Sequence, residues 1–467
     1  MSIVQISPLD AAWLLLESRD TPMHVGGLME FTLPRDAPPD YLQLQLQRMR
    51  ALRTLPAPWN LRPLGAPIVG ERLPLLQSVA DVDLDLHVRH SALPHPGGQR
   101  ELGVLVSRLH GHQLDLHRPL WEVHVIEGLQ DERFAIYLKI HHTLIDGVSA
   151  MRMVLRALSS DPDDRDTPAF WTVAPGERSR AQRGAHRGPL DRLTGAARGG
   201  ASALGGLGRA AFELTAAAVT DGPLRAPFTA PSSALGGHIE GQRRFATQQY
   251  ELERLKALAH QAHCTLNDIV LYLSGTALRR YLSEHARLPA RTLTAGIPVN
   301  LRDPDDNRTG TAVGMMVADL ATNVGDVRER LETIKRSTAA AKRHLQAIPR
   351  EALGAQALVT NGPYIAAQVA GLGGHTPVPF NVGISNVPGP TDPLYLNGSR
   401  LEAIYPVSLL VHGNALNITC ISYSGTLNFG LIGARDTLPH LQRLAIYLGD
   451  ALEELSATLL GPRARSA

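Results

Sequence analysis

The neighbouring histidines His141 and His142, followed by Asp146 and Gly147, are the residues of this sequence best suited to chemistry. They lie in the stretch FAIYLKIHHTLIDGVSA, residues 134–150. An imidazole has a pKa of about 6.5, so it can accept and return a proton near neutral pH, and a neighbouring carboxylate can fix which ring nitrogen carries the proton. The pattern therefore predicts a catalytic group formed by His141, His142, Asp146 and Gly147, with His142 as the general base.

The residues before the histidine pair alternate as in a β-strand with one buried face. One parity is apolar and runs into His142, its members being Phe134, Ile136, Leu138 and Ile140. We therefore expect His142 to point towards the core and His141 to point to the opposite side. Gly147 frees the backbone for a sharp exit, and the apolar spacing after it predicts a helix. A second strand, Trp121–Glu127, should pair antiparallel with residues 134–140, which places the histidines at the end of a sheet.

Two other interpretations of the histidine pair remain open. A buried histidine is more often a hydrogen-bonded core residue than a catalyst. His142 and Asp146 could also be two ligands of a metal ion, but no other His/Cys/Asp cluster at ligand spacing occurs in the sequence. We therefore expect neither a metal nor another cofactor.

Several ordered motifs resemble those of a known family. HHTLIDG matches the HHxxxDG motif of the CoA-dependent acyltransferase superfamily, which includes chloramphenicol acetyltransferase and peptide-synthetase condensation domains. Within that superfamily the chain is similar to the bacterial wax ester synthase/diacylglycerol acyltransferase family. The similar segments are SPLDAAWLLLESRDTPMHVGGLMEF near the start, HVRHSALPHPGGQREL (87–102), PLWEVHVIEGL (119–129), TLNDIV (265–270) and NVGISNVPGP (381–390).

This resemblance implies the fold class and the division of the chain. The expected fold is α/β (α+β), with two chloramphenicol-acetyltransferase-like lobes, each a mixed sheet flanked by helices, and an active-site tunnel between them. We assign residues 1–160 to the N-terminal lobe and 236–467 to the C-terminal lobe. Residues 161–235 are rich in Gly, Ala, Arg and Pro, and residues 173–208 within them have few large apolar side chains, so 161–235 is expected to form the connection between the lobes.

The resemblance also suggests four substrate-binding residues. Asn267 and Asp268 would face the channel from the second lobe, Asn386 would help hold a crossover between the lobes, and His24 lies on a strand that frames the site. Local structure offers a simpler role for Asp268, because Thr265 and Asp268 have the spacing of a helix-capping box. The two glycines and two prolines of residues 381–390 predict a rigid, irregular segment around Asn386.

Composition restricts the class of protein. The chain has 467 residues, which favours two domains, and a formal net charge of +2, which gives no indication of a nucleic-acid partner. No apolar run reaches the ~18–20 residues that would span a bilayer, and the start lacks the features of a secretory signal. The two cysteines, Cys264 and Cys420, predict no disulfide framework. We expect a cytoplasmic protein, either free or peripherally attached to the inner membrane face or to lipid inclusions.

The resemblance implies an acyl-CoA:alcohol O-acyltransferase. It would esterify a long-chain fatty alcohol, diacylglycerol or both to give wax ester or triacylglycerol, with acyl-CoA as co-substrate and His142 as the base in a direct transfer without a covalent acyl-enzyme. Asp146 would hold the loop through an arginine, with Arg302 named as a candidate, and His141 would support its neighbour through hydrogen bonding. Asn300 stands where the family usually has serine, so its role is open.

Two alternative functions are a condensation-type acyltransferase that uses a carrier-protein thioester and a non-catalytic lipid-binding or lipid-droplet protein. The PMHVGG opening argues against the first, and the intact His142, Asp146 and Gly147 argue against the second.

Overall fold

Two six-stranded sheets form the centres of the two lobes. The computed structural model describes residues 3–6, 8–51, 55–64, 75–173, 214, 222–300, 313–348 and 361–461. The first sheet has the order β12-β13-β2-β7-β6-β5, the second has the order β10-β9-β11-β14-β15-β8, and a small third sheet has the order β1-β4-β3.

The strand bounds are β1 Ile3–Gln5, β2 His24–Thr32, β3 Leu61–Pro63, β4 Leu75–Ser78, β5 Val88–Ala92, β6 Trp121–Glu127, β7 Arg133–His141, β8 Arg243–Glu251, β9 Thr294–Asn300, β10 Val313–Asp319, β11 Val382–Val387, β12 Tyr395–Leu396, β13 Ser399–Val407, β14 Leu416–Tyr423 and β15 Thr426–Ala434. The helices are α1 Pro8–Leu16, α2 Tyr41–Arg50, α3 Leu84–His87, α4 Gln99–His110, α5 Gly147–Leu155, α6 Leu252–Gln261, α7 Leu266–His285, α8 Val327–Gln346, α9 at 361–369 and α10 Leu441–Leu460.

The predicted hairpin that carries the histidine pair is confirmed. β6 pairs antiparallel with β7, and β2 pairs with the other edge of β7. The prediction that only one face of β7 is buried is wrong. Its apolar parity packs into one core cluster, while Ala135 and Tyr137 belong to a second cluster on the other face. β7 is therefore a central strand between two packed layers.

A charged group is buried on that second face of β7. The Lys139 ammonium lies 3.2 Å from Glu122 Oε2 and donates to the carbonyl oxygens of Leu109 and His112. Burial alone would raise the pKa of Glu122, but a hydrogen bond from His124 and the charge of Lys139 lower it to about 2. The ion pair is thus satisfied inside the lobe, as a buried charge requires.

The second half of the chain completes the first sheet. β12 and β13 come from residues 395–407, and β13 pairs antiparallel with β2. The prediction that residues 381–390 are irregular is wrong for most of that segment, because β11 is a regular strand, parallel to both β9 and β14. The chain therefore leaves the second sheet after β11, adds two strands to the first sheet and returns through β14.

In the described part of the chain, contacts between the lobes occur at several places. The helix α4 packs along the edge strand β8, where Ser107 Oγ accepts a hydrogen bond from the Phe245 amide at 2.8 Å. At a second contact, the Pro406 carbonyl of β13 lies directly over Gly430 of β15, so that a Cβ at position 430 would overlap this oxygen. Close approach of the two sheets here requires a residue without a side chain.

We expect Gly430→Ala to lower the free energy of unfolding by roughly 2–4 kcal/mol, since the added methyl group forces two β-sheets apart. Urea denaturation of the purified variant measures this. Gly362→Ala is a matched control, because a Cβ at position 362 meets no atom within 4 Å. Equal unfolding midpoints for the two variants would contradict the close approach at Gly430.

Candidate active site

His142 lies directly after the last residue of β7. Its amide donates to the Met23 carbonyl at 2.9 Å, so it continues the pairing of β7 with the chain before β2. The Leu144 amide then bonds back to the His141 carbonyl at 3.0 Å and starts the turn that leads into α5. The predicted arrangement of strand, histidine pair and helix is confirmed, and the helix α5 begins at Gly147 itself rather than just past it.

The imidazole of His142 is half-buried and packs against the indole of Trp13, with ring centroids 4.2 Å apart. Its Nδ1 is enclosed, and none of the described residues forms a hydrogen bond of good geometry with it. The ring lies near the backbone of His142 itself, and this proximity raises the pKa of the ring. Burial lowers the pKa of His142 to about 4, and the negative charge of Asp146 opposes this shift. The ring is therefore neutral at pH 7, as a general base must be.

Asp146 caps the helix α5. Its Oδ1 accepts from the Ser149 amide at 2.8 Å, and its Oδ2 accepts from the Ser149 hydroxyl at 3.1 Å. A carboxylate at this position satisfies a free amide of the first helical turn. Arg302, the arginine suggested for Asp146, lies outside the described residues. The described contacts of Asp146 thus fix the start of α5, while its negative charge raises the pKa of His142.

His141 is fully buried and faces Glu17. Its Nδ1 accepts from the Thr143 amide at 3.1 Å, and its Nε2 lies 3.3 Å from Glu17 Oε2. Because Nδ1 accepts, Nε2 carries the proton and donates to Glu17. Among the described residues no hydrogen bond joins the two imidazole rings. His141 instead holds the backbone from which His142 projects.

Glu17 and Trp13 are site residues that the sequence reasoning missed. The Glu17 carboxylate receives donors from the Met23 amide, from Gln113 Nε2 at 2.8 Å and from His141. A signal for Trp13 was present in the sequence, because Asp10 and Trp13 are spaced i and i+3 and so share one face of a helix.

His24 lies beside His141, since the two are paired across β2 and β7. Its Nε2 donates to the His110 carbonyl at 2.9 Å, and its ring meets that of His110 edge-on. Burial, together with the charges of His110 and Lys139, holds the pKa of His24 well below its usual value. The described contacts of His24 are structural, and its substrate-binding role stays a prediction.

The other three predicted substrate-binding residues belong to the second lobe. The capping box is confirmed, with Asp268 Oδ2 accepting from the Thr265 amide and hydroxyl and Oδ1 accepting from the Thr338 hydroxyl. Asn267 and Asn386 are half-buried, on α7 and β11. None of the hydrogen bonds of the described residues links these three to His142, so their role at the site stays a prediction.

Within the described ranges, no group of three or more His, Cys, Asp or Glu side chains is placed to hold a metal ion. None of the helices described above is long and apolar enough to cross a membrane.

The chain thus combines a two-lobed fold with an HHxxxDG motif at the end of β7, an arrangement typical of the CoA-dependent acyltransferases. The sequence profile of the wax ester synthase/diacylglycerol acyltransferase catalytic domain matches residues 6–270, and that of the WS/DGAT C-terminal domain matches residues 309–456. The chain belongs to the wax ester synthase/diacylglycerol acyltransferase family.

Similar proteins agree with this membership. A Mycobacterium tuberculosis protein whose name describes it as a diacylglycerol O-acyltransferase is 46% identical over 492 residues, with 97% of each chain covered. The wax ester synthase/diacylglycerol acyltransferase from Marinobacter aquaeolei VT8 is 37% identical, with a TM-score of 0.78 over 98% of this chain and 99% of the other. The first condensation domain of the calcium-dependent antibiotic synthetase shares the fold at 18% identity, with a TM-score of 0.60 over 99% and 97% of the chains.

We expect the protein to lose stability as the pH falls from about 6.5. Among the described residues, burial is the first cause of a lowered pKa at six histidines: it lowers the pKa to about 4 at His142 and to about 3 at His110, and it also lowers the pKa of His24, His87, His124 and His412. In the unfolded chain these rings are protonated below about pH 6.5. In that range the unfolded state binds more protons than the folded state, and this binding stabilises the unfolded state relative to the folded one. A ring that stays neutral in the folded state therefore destabilises that state progressively as the pH falls below about 6.5, until the pH reaches the pKa of the ring in the folded protein.

Urea denaturation at pH 7, 6 and 5 measures this dependence. The variant His142→Gln removes one of the titrating rings and should show a shallower loss than the wild type. A free energy of unfolding that stays constant or increases between pH 7 and 5 would contradict the neutral state of these histidines.

Proposed function

We propose that this enzyme transfers the acyl group of an acyl-CoA to the hydroxyl of a long-chain fatty alcohol or a diacylglycerol, giving wax ester or triacylglycerol. The observation that carries the proposal is the position of the His142 imidazole, which follows β7 directly and packs against Trp13. Its Nδ1 is enclosed by the fold, which leaves Nε2 as the nitrogen that can meet a substrate hydroxyl. The names of the similar proteins support both acceptor classes.

In the proposed reaction, His142 Nε2 accepts the proton of the alcohol while the alcohol oxygen attacks the thioester carbonyl. The resulting tetrahedral adduct collapses with cleavage of the carbon–sulfur bond. The imidazolium returns its proton to the departing CoA thiolate, so His142 ends the cycle neutral. A thioester is already an activated acyl donor, and for this reason no covalent acyl-enzyme is needed.

The neighbouring charges have distinct tasks in this proposal. Asp146 raises the pKa of His142 against the effect of burial, so its charge stabilises the imidazolium that forms during the reaction. The pair of Glu17 and His141 orients the backbone that carries the base. Peripheral contact with a membrane or a lipid inclusion belongs to the proposal, because both kinds of acceptor are poorly soluble in water.

We expect His142→Ala to reduce kcat at least 10²-fold, and up to about 10⁴-fold, because it removes the base from the transition state. CoA release from palmitoyl-CoA, with hexadecanol or dioleoylglycerol as acceptor, measures the loss and identifies the preferred acceptor. His117→Ala is a control with normal activity expected, since His117 has a side chain that is 92% exposed.

Each outcome of this assay is informative. Near-normal turnover by folded His142→Ala would disprove the assignment of the base. If well-folded wild type released no CoA with either acceptor, the same acyl group would be offered on a carrier-protein thioester. Activity with that donor alone would establish the condensation-type alternative, and inactivity with both donors would indicate a lipid-binding role.

On the acid side of the pH profile, kcat/KM should decrease with a midpoint near pH 4. The reason is that the base is active only when neutral and the pKa of His142 is about 4. Activity should therefore be nearly constant from pH 7 down to about pH 5 and decrease below that. Initial rates in buffers of constant ionic strength, with folding checked at each pH, measure this limb. A limb near pH 6.5 would show that the ring is hydrated rather than buried in the working enzyme.

A further inference from the structure

The residues between α1 and β2 touch both histidines of the site. We call residues 17–23 the 17–23 loop. At its first residue, the Glu17 carboxylate meets His141, and at its last, the Met23 carbonyl accepts from the His142 amide. The Met23 amide donates to Glu17, which ties the two ends of the loop together. The position of this loop therefore determines the direction in which His142 projects.

The middle of the 17–23 loop is internally bonded. The Ser18 and Thr21 hydroxyls lie 2.7 Å apart, the Thr21 amide donates to Ser18 Oγ at 3.0 Å, and the Ser18 amide donates to the Thr21 carbonyl at 3.3 Å. Thr21 Oγ1 also donates to the Leu16 carbonyl at the end of α1. Because of these bonds the loop behaves as one piece, and a displacement at its centre is carried to both ends.

That centre is bound by the second lobe. Asp20 Oδ1 accepts from the Gly241 amide at 3.1 Å, and the Asp20 carbonyl accepts from Arg243 Nη2 at 2.7 Å. The two backbones approach so closely that a Cβ at Gly241 would lie 2.6 Å from the Arg19 carbonyl oxygen. Both Gly241 and Arg243 belong to the chain that enters β8, the edge strand of the second sheet.

The Arg243 side chain is almost completely buried, with 4% of the residue exposed. Its Nη1 donates to the Glu240 and Gln242 carbonyl oxygens, so the guanidinium joins three backbone carbonyls, of which one is in the first lobe. Burial lowers the pKa of Arg243 to about 10, a shift that the charges of Asp436 and Asp20 oppose. The group is still a cation at neutral pH, and its hydrogen bonds are charge-assisted.

We propose that Arg243 is a positioning residue for acyl transfer, which holds the 17–23 loop against the second lobe and thereby aims His142. This role rests on the proposed function of His142 as the base. The placement of the second lobe then acts directly on the geometry of a base that belongs to the first lobe. A misplacement of about 1 Å at a reacting group can cost on the order of 100-fold in rate.

The test compares Arg243→Ala and Arg243→Lys with Arg435→Ala in the palmitoyl-CoA assay. Arg435 is an exposed arginine that donates to the side chain of Gln242 at the same end of β8, and its variant should retain wild-type activity. We expect Arg243→Ala to lower kcat about 10- to 100-fold with KM for palmitoyl-CoA changed less than threefold. Arg243→Lys, which keeps the charge and one donor, should show a smaller loss.

Two further measurements separate positioning from simple loss of stability. In Arg243→Ala the loosened loop admits water around His142, so the acid limb of kcat/KM should move from near pH 4 towards 6.5, whereas a purely structural role leaves that limb in place. The effects of Glu17→Gln and Arg243→Ala on kcat should also be strongly non-additive, because both act through the same loop.

The outcomes are distinguishable from those that test the function itself. Inactive wild type and inactive Arg435→Ala would refute the proposed function. Active controls together with unchanged kcat and an unchanged acid limb in the Arg243 variants would refute the positioning role alone, as would additive effects in the cycle with Glu17→Gln. Should Arg243→Ala fail to fold, Arg243→Lys carries the same comparison.

Discussion

The contact between Glu17 and His141 takes place where both side chains are shielded from water, and the geometry of the site depends on it. A buried carboxylate requires several donors, and here the Met23 amide, the Gln113 side chain and the His141 ring supply them. These donors come from three separated segments of the chain. By collecting them, Glu17 fixes the end of α1, the start of β2 and the end of β7 relative to one another.

His142, the proposed base, and His141 are adjacent in sequence but opposite in environment. His141 has defined partners on both ring nitrogens, which selects one tautomer and one orientation. His142 has none of comparable quality among the described residues and lies against an indole instead. A ring without competing hydrogen bonds of good geometry is available to a substrate, and burial keeps it neutral. The polar network thus supports a residue that stays outside it.

Local patterns were sufficient to predict the hairpin, the helix after Gly147 and the capping box of Thr265 and Asp268, because each depends on residues close in sequence. The motifs were sufficient to predict the family and the two-lobed fold. Sequence could not reveal the partner of His141, since Glu17 lies 124 residues away. The sequence pattern also predicts that the second face of β7, with its charged Lys139, faces solvent, whereas Lys139 is buried beside Glu122. Long-range pairings of this kind are decided by packing rather than by periodicity.

The contribution of β13 to the first sheet has a consequence for how the molecule is made. Thr32 in β2 and its hydrogen-bond partner Glu402 in β13 are 370 residues apart in the chain. During synthesis, the outer edge of β2 therefore remains a row of unpaired amides and carbonyls until nearly the whole protein has left the ribosome. An open strand edge invites pairing with other chains. The sheet of the first lobe is thus completed only after β13 has been synthesised, late in the translation of the chain.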